Sequence, residues 1–294
     1  MTKKVCLVTG ANSGIGKVTA TALAKTGAHV VIVCRDMAKA EAAAADIRVR
    51  AGAGAGTVEP LACNFGSMAQ IRELAAAFLR RHDRLHVLVN NAGALIGTRT
   101  KSADGLELTF AANHLGYFLL TNLLLDVLKA SAPARIVNVA SDAHYRVKQG
   151  LDFDDLQNER RKYEAFRVYS ESKLANVYFT YELARRIDGT GVTANCLHPG
   201  VVGTNFGHTA TWFWKTAMAL GRLVLITPEE GAKTSIYLAT SPDAAGVSGK
   251  YFDKCKPRRT SIVSYDEAAM RRLWDVSARL TGLPRTANGT GAGS

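Results

Sequence analysis

Tyr169 and Lys173 stand four residues apart in the run Tyr169-Ser-Glu-Ser-Lys173, a spacing that puts both side chains on one face of a helix. A free tyrosine, with a pKa of about 10, is a poor acid–base group at neutral pH. A neighbouring ammonium favours the phenolate, and lowering the pKa by about two to three units corresponds to roughly 3–4 kcal/mol. So placed, Tyr169 can donate a proton to a carbonyl oxygen or take one from an alcohol. The spacing alone is common by chance; its surroundings give it weight. Ser141 follows an apolar run, where its hydroxyl can reach the same carbonyl oxygen. Asn113 lies within a helical stretch, and Asn90-Asn91-Ala92-Gly93 and Pro199-Gly200 end two further apolar runs.

A second constellation sits at the start of the chain. Thr9-Gly10-Ala11-Asn12-Ser13-Gly14-Ile15-Gly16 joins an apolar run to a helical pattern. Gly10 permits a sharp turn, Gly14 lets the backbone approach a pyrophosphate, and Gly16 allows close helix–strand packing. The helix N-terminus offers free N–H groups and a partial positive charge to the phosphates. This fits a dinucleotide, whose nicotinamide the turn at Pro199-Gly200 can abut and whose ribose Lys173 can bond. At the tip of the next strand, Cys34-Arg35 replaces the acid that would bond a ribose 2′-hydroxyl. A 2′-phosphate on Arg35 would gain roughly 1.5–3 kcal/mol, so NADP(H) is expected over NAD(H). Asp36 tempers this, since it could pair with Arg35; an ordinary surface charge is the alternative reading of Arg35.

These residues must be held by a scaffold, and the apolar pattern supplies one. Strands are predicted over Val5–Thr9, His29–Cys34, Thr57–Cys63, Leu85–Val89, Arg135–Ala140 and Val192–Leu197, with a short last one near Lys250–Phe252. Helices are predicted between them, among them Leu106–Lys129, Tyr169–Ile187 and Pro228–Thr240. Ser67 and Thr227 read as N-caps. The alternation implies an α/β fold: a single-domain, doubly wound, Rossmann-like parallel sheet with helices on both faces. One domain is expected over residues 1–284, with a substrate lid at about 201–227 and a flexible Gly/Ala/Thr-rich tail at 285–294.

A chain of 294 residues with 47% hydrophobic content can bury a full core. Its net charge of +12 suits an anionic ligand. Nucleic acid is not expected as a partner: the densest basic runs, Arg160-Arg161-Lys162 and Lys256-Pro257-Arg258-Arg259, lack interleaved aromatics. The five cysteines are scattered without CxxC spacing, so free thiols in a reducing compartment and no metal site are expected. His144 and His198 read as packing or hydrogen-bonding residues. A strand follows directly after Met1-Thr2-Lys3-Lys4, and the apolar stretch Ala217–Ile226 is short and interrupted by Arg222. A cytoplasmic protein is expected.

Taken together, Thr9–Gly16, Asn90–Gly93, Asn113, Ser141, Tyr169/Lys173 and Pro199-Gly200 resemble the motif set of the short-chain dehydrogenase/reductase family over residues 4–283. The runs Asn113-His-Leu-Gly-Tyr-Phe-Leu-Leu-Thr121, Ser172-Lys-Leu-Ala-Asn176, His198-Pro-Gly-Val-Val202 and Ser248-Gly-Lys-Tyr-Phe252 resemble its retinol dehydrogenase-like branch. The lack of an apolar N-terminal anchor points to a soluble, bacterial-type member. The resemblance implies Tyr169 as acid/base, Ser141 orienting the carbonyl, Lys173 holding ribose and tuning Tyr169, and Asn113 supporting a proton relay through water. It implies cofactor contacts by Gly10, Asn12, Ser13, Gly14, Ile15 and Gly16 in the loop. Further contacts are implied for Arg35, Asn64, Phe65, Asn91, Ala92, Gly93, Tyr169, Lys173, Pro199, Gly200, Val202 and Thr204. Asn64 stands where the family has an Asp near adenine and can still hydrogen-bond the base.

The implied reaction interconverts a ketone or aldehyde and an alcohol on a lipophilic small molecule. Phe206, Trp212, Phe213 and Trp214 would line the lid, with Tyr145, Phe153 and Phe166 adding to the wall; ordinary packing is the alternative. Shallow membrane contact through Trp212, Trp214, Lys215 and Arg222 is a weaker reading. Homo-oligomers through the helices around Asn113–Lys129 and Tyr169–Ile187 are a further implication. An NADPH-binding regulatory protein without turnover is the competing function, against which the intact Ser141–Tyr169–Lys173 set argues.

Overall fold

Successive residues of a strand point to opposite faces of the sheet, so an unbroken apolar run needs cover on both. That is what the computed structural model, which describes residues 3–200 and 226–284, provides. Leu7, Val31 and Leu88 pack into one apolar layer, and their neighbours Val8, Ile32 and Val89 into the other, all fully buried. The strands are β1 (Val5–Thr9), β2 (His29–Cys34), β3 (Val58–Ala62), β4 (Val87–Asn90), β5 (Ala134–Val139), β6 (Val192–His198), β7 (Tyr251–Asp253) and β8 (Lys256–Arg258). They form one sheet in the order β3-β2-β1-β4-β5-β6-β7-β8, parallel except for the β7–β8 hairpin.

The helices are α1 (Gly14–Lys25), α2 (Met37–Ala51), α3 (Met68–Leu79), the short α4 (Leu108–Phe110), α5 (Gly116–Leu123), α6 (Leu125–Ala130), α7 (Ala165–Arg186), α8 (Pro228–Thr240) and α9 (Glu267–Thr281). One face is covered by α1, α2 and α8, the other by α3, α5 and α7. The expected caps form: Ser67 accepts from Gln70 N–H, and Thr227 from Glu230 N–H with Pro228 in the first turn. The chain lays down β1, β2 and β3 outward and then returns to β4 beside β1, which opens a crevice at the carboxyl ends of β1 and β4.

Three elements depart from the sequence reading. The helix expected over Leu106–Lys129 is broken into α4, a π turn at Ala111–Leu115, α5 and α6. At the joint, a Cβ on Gly116 would lie 2.7 Å from the Phe65 ring, so the turn is shaped around that ring. β8 is a solvent-exposed edge strand, Lys256-Pro257-Arg258, defined by its partner rather than by its own pattern. α9 carries a cap at each end, Asp266 accepting from Ala269 N–H and left-handed Gly282. Its Trp274 packs against Phe118 and Phe179, at ring-centroid distances of 4.9 and 5.9 Å. α9 thus packs along α7 and reaches α5.

Candidate active site

Asn91 staples the two strands that bound the crevice. Its side-chain N–H groups donate to the carbonyls of Thr9 (2.9 Å) and Gly10 (3.2 Å), while Thr9 Oγ1 accepts from Asn91 N–H and Ala92 N–H, both at 2.9 Å. Gly10 and Gly16 do what the spacing implied. A Cβ on Gly16 would lie 2.4 Å from the Gly10 carbonyl oxygen, and left-handed Gly10 would meet Ala92 at 2.8 Å. Ser13 is the N-cap of α1 but gives it no side-chain bond, whereas α2, α3, α8 and α9 are each capped by a side chain. The first N–H groups of α1 thus have no side-chain acceptor among the described residues, and this donor set fits a pyrophosphate. Asn12 and Ser13 are exposed beside it, and Ile15 is half-buried.

At the tip of β2, Arg35 is exposed and has no hydrogen bond or ion pair among the described residues. Asp36 does not pair with it: its carboxylate accepts from Lys39 N–H at 3.0 Å as the N-cap of α2. Asn64 Oδ1 accepts from Gly66 N–H at 3.0 Å. Phe65 is 7% exposed and packed in the core, so only its main chain can face a ligand. Gly200 has φ +84 and sits against Ile226. Val202 and Thr204 lie outside the described residues, as do Phe206, Trp212, Phe213, Trp214, Lys215 and Arg222.

Helix α7 brings Tyr169 and Lys173 onto one face beside β5. Tyr169 is half-buried and shares a side-chain hydrogen bond with Ser141. Lys173 is buried, with Nζ 5.4 Å from the centre of the Tyr169 ring and donating to the Val139 carbonyl at 2.9 Å. Gly93 closes this cluster: a Cβ there would lie 3.7 Å from Lys173 Nζ and 3.3 Å from Asn113 Oδ1. The charge states differ from the sequence expectation. Burial pushes the Tyr169 phenol up to about 12, the Ser141 bond only partly offsetting it, and burial brings the Lys173 ammonium down to about 7. In the protein alone, the pair favours a neutral phenol beside an amine ready to lose its charge.

Asn113 lies in the π turn, a helical irregularity frequent at functional sites. Its side chain is committed: Oδ1 accepts from Ala94 N–H (2.8 Å), and Nδ2 donates to the Ala94 carbonyl (2.9 Å) and Ser172 Oγ (3.1 Å). What Asn113 visibly does is fix the loop after β4 against α7.

The sequence reading missed the brace behind Ser141. Asp142 accepts from Tyr251 OH (2.7 Å) and Arg258 (3.0 Å), and its own N–H donates to His198 Nδ1 at 3.2 Å. Burial raises the Asp142 carboxyl, but the Tyr251 hydroxyl and the His198 and Arg258 charges outweigh it and hold it below its usual range. Asp142's position directly after Ser141 was the available signal. His144 Nδ1 bonds the Ser141 carbonyl at 2.7 Å, so both histidines serve hydrogen bonding. The basic runs are likewise engaged: Arg161 pairs with Asp155 and Glu171, and Arg258 with Asp142 and Asp253.

Of the expected wall, Phe166 stacks on Tyr169 at 6.1 Å and lines a cavity of about 450 Å³, together with Arg146, Lys148 and Arg167. Ser141, Tyr169 and Lys173 are not among the residues that line that cavity. Tyr145 lines a smaller neighbour, while Phe153 packs on the core under Arg272. The five cysteines are free, four of them buried. Among the described residues no helix is long and apolar enough to cross a membrane.

Comparison with known proteins follows the same lines. A family model described as short chain dehydrogenase matches residues 4–151. Human retinol dehydrogenase 13 is 47% identical over 285 residues, which span 95% of this chain and 85% of the relative. A crystal structure of an uncharacterized protein from Mycobacterium paratuberculosis aligns with a TM-score of 0.76 at 32% identity, over 95% of this chain and 94% of that one. An actinorhodin polyketide ketoreductase variant with NADPH aligns at a TM-score of 0.67 and 30% identity, over 85% and 95%.

Proposed function

The chain belongs to the short-chain dehydrogenase family, an oxidoreductase family that uses a nicotinamide cofactor, and from that premise we propose that it interconverts a lipophilic carbonyl compound and its alcohol with NADP(H) in preference to NAD(H). The observation that carries the reading is the Ser141–Tyr169–Lys173 cluster at the mouth of a crevice whose helix N-terminus is left uncapped. The bound cofactor supplies or accepts the hydride. The chain's own residues manage the proton and the geometry. Ser141 and Tyr169 bond the substrate oxygen from two sides, and Tyr169 gives it a proton in reduction or removes one in oxidation. A phenol held near 12 keeps its proton and stays neutral at pH 7, the form that reduction needs. Lys173 holds ribose and, as an ammonium, eases proton loss from Tyr169 in the oxidative direction. Asn113 keeps Gly93 and Ala94 in place beside Lys173 and supports the proton relay.

Arg35, exposed and without a partner among the described residues while Asp36 is occupied as a cap, supports recognition of a 2′-phosphate. Phe166 stacked on Tyr169 and the name of the retinol dehydrogenase relative support a lipophilic substrate, with residues 201–227 as its lid. Free cysteines support a cytoplasmic setting. The test is a panel of apolar aldehydes, ketones and alcohols, retinoids included, followed by absorbance of NADPH or NADH. Turnover with NADPH that disappears in Tyr169→Phe is the expected result. Tight NADPH binding with no turnover on any substrate would instead favour the regulatory reading.

A further inference from the structure

At the opposite end of the sheet from Tyr169, three metal-binding side chains converge from three elements. His29 opens β2, and Val31, two residues on, faces the α3 layer; by the period of two, so does His29. Glu59 in β3 precedes Leu61, which faces the same layer, and Glu59 pairs in register with Val31. His82 sits just past α3, where its N–H donates to the Phe78 carbonyl and its ring packs 4.7 Å from Phe78 and 4.9 Å from His29. The result is His29 Nε2 at 3.2 Å and His82 Nε2 at 3.0 Å from one carboxylate oxygen, Glu59 Oε2, with all three donor atoms within 4.8 Å of one another.

We propose that His29, Glu59 and His82 form a binding site for a late first-row divalent metal ion, Zn²⁺ being the representative, that pins the end of α3 to the β2–β3 edge. A tetrahedral zinc with bonds of about 2.0–2.1 Å holds its donors about 3.3 Å apart, close to the two nitrogen–oxygen separations; the imidazoles need only close toward each other. Two imidazoles and a carboxylate select zinc over magnesium or calcium, which prefer all-oxygen sets. The supporting contacts are those of a metal centre. Thr57 Oγ1 lies 2.6 Å from His29 Nδ1 and fixes that ring, and Arg81 occupies the other carboxylate oxygen, Glu59 Oε1, at 2.6 Å, leaving Oε2 to the ion. The three side chains are 20%, 20% and 12% exposed, which leaves a fourth position to water and a path for the ion to enter. The site lies outside the crevice and is independent of the proposed reaction.

The experiment uses the full, untagged chain, stripped with chelator and desalted, titrated with ZnCl₂ by calorimetry in competition with a chromophoric chelator. One zinc per chain is expected, with Kd of about 1 µM or tighter. Zinc at about 100-fold over Kd should raise the thermal midpoint by roughly 5 °C, and MgCl₂ should not. Glu59→Gln and His82→Gln should each weaken zinc at least about tenfold. Absence of stoichiometric binding overturns the proposal, as does zinc binding undiminished in a folded His82→Gln. If a variant fails to fold, anomalous density at the zinc edge from wild-type crystals grown with ZnCl₂ decides. A peak bounded by the three side chains supports the site; a peak elsewhere, or none, overturns it.

Discussion

At the carboxyl end of the strands, burial holds Tyr169 up to about 12 and Lys173 down to about 7, and the N-terminus of α1 has no side-chain cap. At the amino end, Glu59 has three partners, His29, His82 and Arg81, and its carboxyl stays below its usual range although burial alone would raise it. The same sheet thus leaves polar groups underserved at one end and oversupplied at the other. Groups at the first end have interactions in reserve for a ligand, which is where chemistry can be done. Groups at the second are spent on joining α3, β2 and β3, or on the ion proposed there.

Tyr169→Phe probes the reactive end most severely. It should lower kcat/KM by about 10²–10⁴-fold, read with the best substrate of the panel, while chemical denaturation moves little because the ring and its stacking on Phe166 remain. Activity close to wild type would remove the contrast at its centre. Arg35→Asp should shift the NADP/NAD ratio of kcat/KM by about 10–100-fold toward NAD, the equivalent of roughly 1.5–3 kcal/mol; an unchanged ratio would leave Arg35 an ordinary surface charge.

The direction of reaction sharpens the comparison further. Tyr169 has its pKa raised, so its base form gains with pH. Oxidation should therefore accelerate by up to about tenfold per pH unit above neutrality until the phenol titrates, while reduction stays level over that range and falls only in alkali. A flat oxidative profile would mean that the cofactor-bound site already holds the phenolate. The smallest effect belongs to the amino end. Glu59→Ala should cost about 1 kcal/mol in urea unfolding, since its partly exposed ion pairs are discounted by solvent. A loss near zero would show that His29, His82 and Arg81 need no carboxylate between them.

Much of the reactive end was legible because its parts are local. Gly10, Gly14 and Gly16 act within one loop, Tyr169 and Lys173 within one helical turn, and Ser67 and Thr227 within three residues of the N–H groups they cap. The strand pattern carried the sheet, since parallel strands buried on both faces leave unbroken apolar runs. The breaks in the 106–129 helix were not legible, because Gly116 yields to a ring from Phe65, and β8 is a strand only by virtue of β7. The caps of α9, Asp266 and Gly282, could have been read; what α9 covers could not.

By itself, then, the sequence determined the fold class, the Thr9–Gly16 turn between β1 and α1 and the shared face of Tyr169 and Lys173, because each follows from periodicity or contact within a few residues. The tertiary structure decided the protonation of Tyr169 and Lys173, which depends on burial. It also decided the bracing of Ser141 by Asp142, Tyr251 and Arg258, the release of Arg35 by the capping role of Asp36, and the meeting of His29, Glu59 and His82. Except for the Asp36 cap, these depend on packing or on partners beyond the reach of any local pattern; even that cap shows its effect only once the Arg35 side chain is placed in space.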